Sequence, residues 1–167
     1  MKKRVLGTAL VLLLAAGSAW AGQQAGAFTI SPMLGGIVFE GDQQVKDDFA
    51  YGLGIGYNLT EAFALEAVFV GSSAERNRSD GGSKTTLSTY RLDALYHFLP
   101  NSTLVPYVAA GVGGYNIKGD SEFMGNYGLG LLYYVTENLA LRGDVRHLLV
   151  TEESNLDHNL LYTAGLK

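Results

Sequence analysis

Residues 51–69 read YGLGIGYNLTEAFALEAVF, and residues 127–145 read YGLGLLYYVTENLALRGDV. The second stretch repeats the first at a constant offset. Tyr51 falls on Tyr127, Gly52 on Gly128, Thr60-Glu61 on Thr136-Glu137, and Ala64-Leu65 on Ala140-Leu141. Each copy is an alternating run, a short polar turn and a second alternating run, the pattern of a β-hairpin. Self-similarity of this kind fixes architecture before any single residue does.

The alternation assigns faces. Tyr51, Leu53, Ile55, Tyr57 and Leu59 share one parity, and Ala50, Gly52, Gly54, Gly56 and Asn58 share the other. Successive side chains of a strand point to opposite sides of the sheet. One face is therefore apolar and aromatic, and the other is nearly bare. Bare glycine opposite aromatics predicts a small-residue side with little room, as inside a narrow barrel.

Outward from the repeat, eight strands are predicted, at 27–39, 49–59, 63–70, 86–98, 104–115, 125–135, 139–150 and 159–167. Connections after the second, fourth and sixth are short: Thr60–Ala62, Leu99–Thr103 and Thr136–Asn138. Those after the first, third, fifth and seventh are longer and more polar, as in EGDQQVKDD at 40–48 and GSSAERNRSDGGSKT at 71–85. Short turns at one end and long loops at the other is the layout of an outer-membrane barrel, with the short turns in the periplasm. Most runs also match the ~9–11 tilted residues that span a hydrocarbon layer.

The aromatic parity, followed through all eight strands, contains no charge. It includes Phe28, Ile30, Phe63, Leu65, Phe69, Tyr90, Leu92, Tyr96, Val108, Val112, Leu141, Val145, Leu160 and Tyr162. The opposite parity holds every charge inside strands one to seven: Glu66, Arg91, Asp93, Arg142, Asp144 and Arg146. A membrane barrel requires that split, because Arg or Lys on the lipid face costs ~2–4 kcal/mol at mid-depth. A soluble barrel with the faces reversed would have to pack a dozen Tyr and Phe into a lumen that holds side chains or one small ligand. Tyr51, Tyr57, Tyr96, Tyr127 and Tyr133 lie near predicted strand ends, where amphipathic rings meet the membrane interfaces.

The N-terminus points to export. Lys2, Lys3 and Arg4 precede an apolar run from Val5 to Ala16, and Ala19-Trp20-Ala21 fits a small-x-small cleavage site. Residues 1–21 therefore read as a signal peptide and 22–167 as the barrel domain, with cleavage expected after Ala21. The apolar run is too short to cross a bilayer as a helix, which takes ~20 residues. The chain has no cysteine, and its 16 acidic residues outnumber its 12 basic ones, so it has neither a disulfide framework nor the basic stripe of a nucleic-acid binder.

YGLGIGYNLTE, YRLDALYHFLP followed by LVPYVAAGVGGY, and TENLALRGDVRH together resemble the N-terminal barrel of the OmpA-like outer membrane proteins. The resemblance covers the whole mature chain. It implies an all-β, eight-stranded antiparallel up-and-down transmembrane barrel in the outer membrane of a Gram-negative bacterium, with a structural or narrow-pore role. It implies outer membrane lipids, lipopolysaccharide and the barrel assembly machinery as partners. Peptidoglycan would be a partner only through a further domain after Lys167.

The six inward charges are the candidate site. Three acids and three bases in a narrow lumen predict a salt-bridge network that plugs it; the functional alternative is a gate whose pairs exchange partners. No catalytic, cofactor or metal residue is expected. Other chemistries find less in the sequence. His97 lies near a predicted periplasmic turn as an interfacial hydrogen-bonder. His147 lies on the lipid side near the outer rim, close to Glu152, Glu153 and Ser154, and His158 lies beyond it; no elbow motif makes a lipid-modifying enzyme of them. GLGIG (52–56) and GVGG (111–114) lack the following helix that phosphate binding requires. The long loops carry an acidic excess without the spacing of a calcium loop. They are also the surface an adhesin-like barrel would use to bind a host, phage or matrix partner.

Overall fold

The structure, a computed structural model, describes residues 22–39, 48–75, 84–117, 120–152 and 155–167. Eight strands follow in chain order: β1 (Phe28–Phe39), β2 (Asp48–Asn58), β3 (Phe63–Glu75), β4 (Lys84–His97), β5 (Leu104–Ile117), β6 (Asp120–Thr136), β7 (Leu139–Glu152) and β8 (Asn155–Leu166). Every neighbour pair is antiparallel, and β8 closes on β1 with Met33 opposite Gly165. Among the described residues there is no helix. The expected signal segment and its cleavage site lie outside the described residues.

The hairpin repeat survives as a repeat of register. Phe28 pairs with Tyr57 and Leu104 with Tyr133; Tyr57 pairs with Leu65 and Tyr133 with Leu141. The β1–β2–β3 unit is thus laid out again as β5–β6–β7, on the opposite wall of the barrel. The turns repeat as well. Thr60 Oγ1 accepts a hydrogen bond from the Phe63 amide at 2.9 Å, and Thr136 Oγ1 accepts one from Asn138 at 3.3 Å.

Six strands run two or more residues past their expected limits. β3 continues to Glu75, β4 begins at Lys84, β5 reaches Ile117, β6 begins at Asp120, β7 reaches Glu152 and β8 begins at Asn155. The connections expected at 116–124 and 151–158 are therefore mostly strand. Polar side chains there read as loop, yet the backbone ladder needs no apolar stripe and continues through them. For the same reason Tyr127 sits well inside β6 rather than at its end. The expected loop charges Glu40, Asp42, Lys46, Asp47, Arg76, Arg78, Asp80, Lys118 and Glu153 fall outside the described residues.

The face assignment holds on every strand. Phe28, Ile30, Leu53, Ile55, Phe69, Leu92, Val112 and Leu129 are all exposed on the outer wall, and Met33, Val68, Leu95, Val105, Leu132 and Leu148 are buried inside. Three strands carry two outward tyrosines each: Tyr51 and Tyr57, Tyr90 and Tyr96, Tyr127 and Tyr133. Their rings form two rows roughly 20 Å apart along the strands at ~3.3 Å per residue. Near the short turns the row is reinforced by Phe28 against Tyr57 and by Phe63–Tyr96–Phe98.

Two sorts of glycine emerge. On the outer wall Tyr51, Tyr90 and Tyr162 lie flat across Gly71, Gly114 and Gly36 of the neighbouring strand, where any Cβ would strike the ring. Covering a strand glycine with a cross-strand aromatic recovers packing the glycine lacks. The lumen glycines leave room for something else.

Candidate functional site

Lumen-facing positions of β3, β4 and β7 carry the six predicted charges, and closure of the barrel joins all six into one chain of alternating sign. Arg142 grips Glu66 with both terminal nitrogens, at 2.5 and 2.8 Å, and its Nε donates to Asp144 at 2.5 Å. Asp144 accepts from Arg146 at 3.0 Å. Arg146 reaches Asp93 at 3.5 Å, and Asp93 accepts from Arg91 Nε at 2.9 Å. None of the six is more than 4 % exposed. Burying an ion without a partner would cost several kcal/mol, so alternation is the arrangement that lets six ions share this space. The fork geometry of arginine suits it, because one guanidinium can serve two carboxylates at once.

Three neighbours complete the layer. Ser31 on β1 donates to Glu66 and accepts from Arg142. Asn126 on β6 donates to Asp93 at 2.8 Å and accepts from Arg146 at 3.5 Å. The Arg142 guanidinium lies 5.6 Å over the ring of Tyr107 on β5. The sequence reading missed all three because it looked only for charge. Their inward parity, the same rule that found the ions, would have found them.

The lumen glycines make this layer possible. A Cβ on Gly54 would meet Glu66 Oε1, one on Gly111 would meet Asp93, one on Gly113 Arg91 and one on Gly128 Arg146. The bare face opposite the aromatics is the space the ionic side chains fill.

Apolar layers bound the ions on both sides. Toward the short turns lie Ala64, Leu95, Val105, Tyr107, Leu132 and Ala140. Toward the other rim lie Met33, Ile37, Val68, Val70, Met124 and Leu148. Below the lower layer residues 22–27 run across the rim: Gln23 N bonds to Pro100 O, and Asn58 donates to Gln23 Oε1 and Gln24 O.

The remaining candidates resolve as follows. His97 is buried inside the lower layer with its ring 5.4 Å from that of Tyr107, and neither ring nitrogen has a hydrogen-bond partner among the described residues. It is a packing residue rather than the expected interfacial hydrogen-bonder, because its parity turns it inward. His147 does face outward, but its ring contacts are Tyr127 and His158. Glu153 and Ser154 lie outside the described residues, as does the side chain of Glu152. GLGIG lies in β2 and GVGG in β5, with no helix behind either.

A closed eight-strand barrel, apolar outside and ionic within, belongs to the integral membrane β-barrels. The chain is a member of the outer membrane protein beta-barrel domain family, whose model matches residues 7–167. It is 33 % identical over 134 residues to Outer membrane porin F of Pseudomonas aeruginosa, covering 74 % of this chain and 38 % of that protein. The chain thus spans well under half the length of that relative. Among solved structures it is similar to the N-terminal beta-barrel domain of Pseudomonas aeruginosa OprF (TM-score 0.53, 23 % identity, 87 % of this chain and 99 % of that one). It is also similar to Neisserial surface protein A (TM-score 0.70, 15 % identity, 83 % and 94 %). These findings bear out the OmpA-like resemblance and place the chain among outer membrane proteins.

Proposed function

We propose that this outer membrane barrel is a closed structural element of the envelope whose lumen is plugged by its own ions. One observation carries the reading: an unbroken six-member chain of alternating charge, essentially unexposed, lying between two apolar layers. Water and ions must displace both the salt bridges and the packed side chains to pass. The narrow-pore reading is the second, and it rests on the likeness to a protein named as a porin. The two readings differ in whether the network rearranges at rest. The barrel's three lumen carboxylates in the ionic layer, Glu66, Asp93 and Asp144, are each engaged by arginine, which suits a structural role for the layer rather than acid–base work. Outer membrane lipids, lipopolysaccharide and the barrel assembly machinery are its partners, with peptidoglycan contacted only through a further domain.

Asp144→Ala tests the plug. It removes the carboxylate that joins Arg142 to Arg146 and leaves two buried guanidiniums short of an acceptor. In planar bilayers the wild-type barrel is expected to be nearly silent and the variant to pass current, with a lower urea midpoint. If the variant matches the wild type in both, the ions do not hold the lumen shut. A wild type with steady current would favour the pore.

A further inference from the structure

Three side chains on the outer wall are joined through their polar atoms. Tyr127 on β6 and His147 on β7 are paired positions, and the Tyr127 hydroxyl lies 2.7 Å from His147 Nδ1. His158 on β8 pairs with Leu149, two residues farther from the short turns than His147. Its Nδ1 lies 3.2 Å from His147 Nε2, while the ring centres are 5.0 Å apart. The nitrogens are much closer than the centres, so the two rings turn these atoms toward each other. Both rings are half-buried. Their neighbours on the same face are Val145, Leu149, Leu160 and Tyr162, none of them a cation.

Two imidazole nitrogens on one tetrahedral zinc ion, each at ~2.0–2.1 Å, stand about 3.3 Å apart. Cis positions on a square-planar or octahedral ion with bonds of that length stand closer, at about 2.8–3.0 Å. The separation of the histidine nitrogens fits the tetrahedral edge. Imidazole also suits zinc, copper and nickel, whereas magnesium and calcium take oxygen ligands.

Tyr127 meets a further requirement. A histidine that binds a metal through one ring nitrogen usually donates the other N–H to a fixed acceptor, which sets its tautomer. The Tyr127 oxygen is placed to take that bond from His147 Nδ1.

We propose that His147 Nε2 and His158 Nδ1 form a zinc site near the outer rim of the barrel, with Tyr127 as its positioning residue. Among the described residues no group of three or more His, Asp or Glu is gathered for a metal. Water therefore fills the remaining positions, and an open site of this kind exchanges its ion with the medium. The protons balance. Without metal, Tyr127 donates to His147 Nδ1, and His147 Nε2–H donates to His158 Nδ1. Zinc takes the lone pair of His158 Nδ1 and that of His147 Nε2, whose proton moves to Nδ1 and is donated to the Tyr127 oxygen. The hydroxyl hydrogen of Tyr127 turns to water, and both imidazoles stay neutral. A small turn of the rings aims both lone pairs at the ion. The ion then ties β7 to β8 near the outer end of their hairpin.

The experiment titrates the untagged barrel, in phosphatidylcholine nanodiscs, with zinc chloride and follows its histidine side chains by nitrogen-15 NMR. Wild type is expected to bind one zinc, shifting His147 Nε2 and His158 Nδ1 and leaving His97, the third histidine of the chain, unmoved. That result needs no variant to fold. His147→Gln/His158→Gln is expected to weaken zinc binding more than tenfold while heat-resistant migration on gels is kept. Tyr127→Phe is expected to weaken it about tenfold, as for other groups that orient a metal ligand, and to remove the hydrogen-bonded Nδ1–H resonance of His147 in the zinc form. A tenfold excess of magnesium is expected to leave the zinc in place. Unmoved resonances of either rim histidine, or equal zinc binding by the double variant, overturn the site. Displacement of zinc by magnesium overturns ligation by imidazole. Full affinity in Tyr127→Phe overturns the positioning role.

Discussion

The β2–β3 and β6–β7 hairpins are the same frame used twice, yet they fill the lumen differently. On β3 the inward side chains read Ala64, Glu66, Val68 and Val70; on β7 the equivalent positions read Ala140, Arg142, Asp144 and Arg146. Glu66 and Arg142 stand 76 residues apart, the offset of the repeat, and they meet across the barrel at 2.5 Å. Alanine stays alanine on both sides at the lower layer. One level up the copies are complementary rather than identical. A duplicated unit facing itself across a narrow lumen would oppose like charges, so the repeat holds the frame and gives way at the one level where its copies touch. Above that level β3 contributes apolar bulk while β7 contributes two further ions: Asp144 bridges Arg142 and Arg146, and Arg146 turns sideways to Asn126 on β6 and to Asp93 on β4, which Arg91 also holds.

The largest effect should come from breaking the one contact that joins the copies. Arg142→Met strands Glu66 and takes one of the two arginines from Asp144, and is expected to cost ~3–5 kcal/mol, as for other buried pairs that lose one partner. Glu66→Gln should cost less, about 1–2 kcal/mol, because an amide oxygen still accepts and Arg142 keeps Asp144. Urea unfolding in lipid vesicles measures both. Equal losses would mean that the two copies contribute to the layer equally, against the asymmetry described above.

An intermediate effect is expected from the glycines. Gly111→Ala drives a Cβ into Asp93 and the Leu92 carbonyl, whereas a Cβ at outward Gly125 meets nothing within 4 Å. The first should lose about 1–3 kcal/mol by overpacking and the second should change little. Similar values at the two sites would disconnect glycine from the ionic layer.

The smallest effect sharpens the comparison at the turns. Thr60→Ala removes a 2.9 Å bond and Thr136→Ala a 3.3 Å one. The first is expected to cost about 0.5–1 kcal/mol and the second less, on the ordinary scale of a net hydrogen bond. Thermal melts of the two variants side by side should rank them in that order.

Much of this molecule is readable residue by residue. The period of two gives each side chain a face, so Tyr90, Leu92 and Tyr96 go to lipid while Arg91 and Asp93 go inward, with no other strand needed. The same rule is silent where both faces are wet, which is why β6 begins at Asp120 rather than 125. His97 lies beside a turn, but its parity, not that nearness, decides its place, and it is buried inside.

The linear chain by itself determined the number of strands, the two faces and the identity of the six lumen ions, because each follows from local alternation. Only closure of the sheet decided which ion meets which. Glu66 reaches Arg142, Arg146 reaches Asp93, and His147 reaches His158 through the shear and register of neighbouring strands. Those are set by every pairing around the ring at once, and no stretch of sequence contains them.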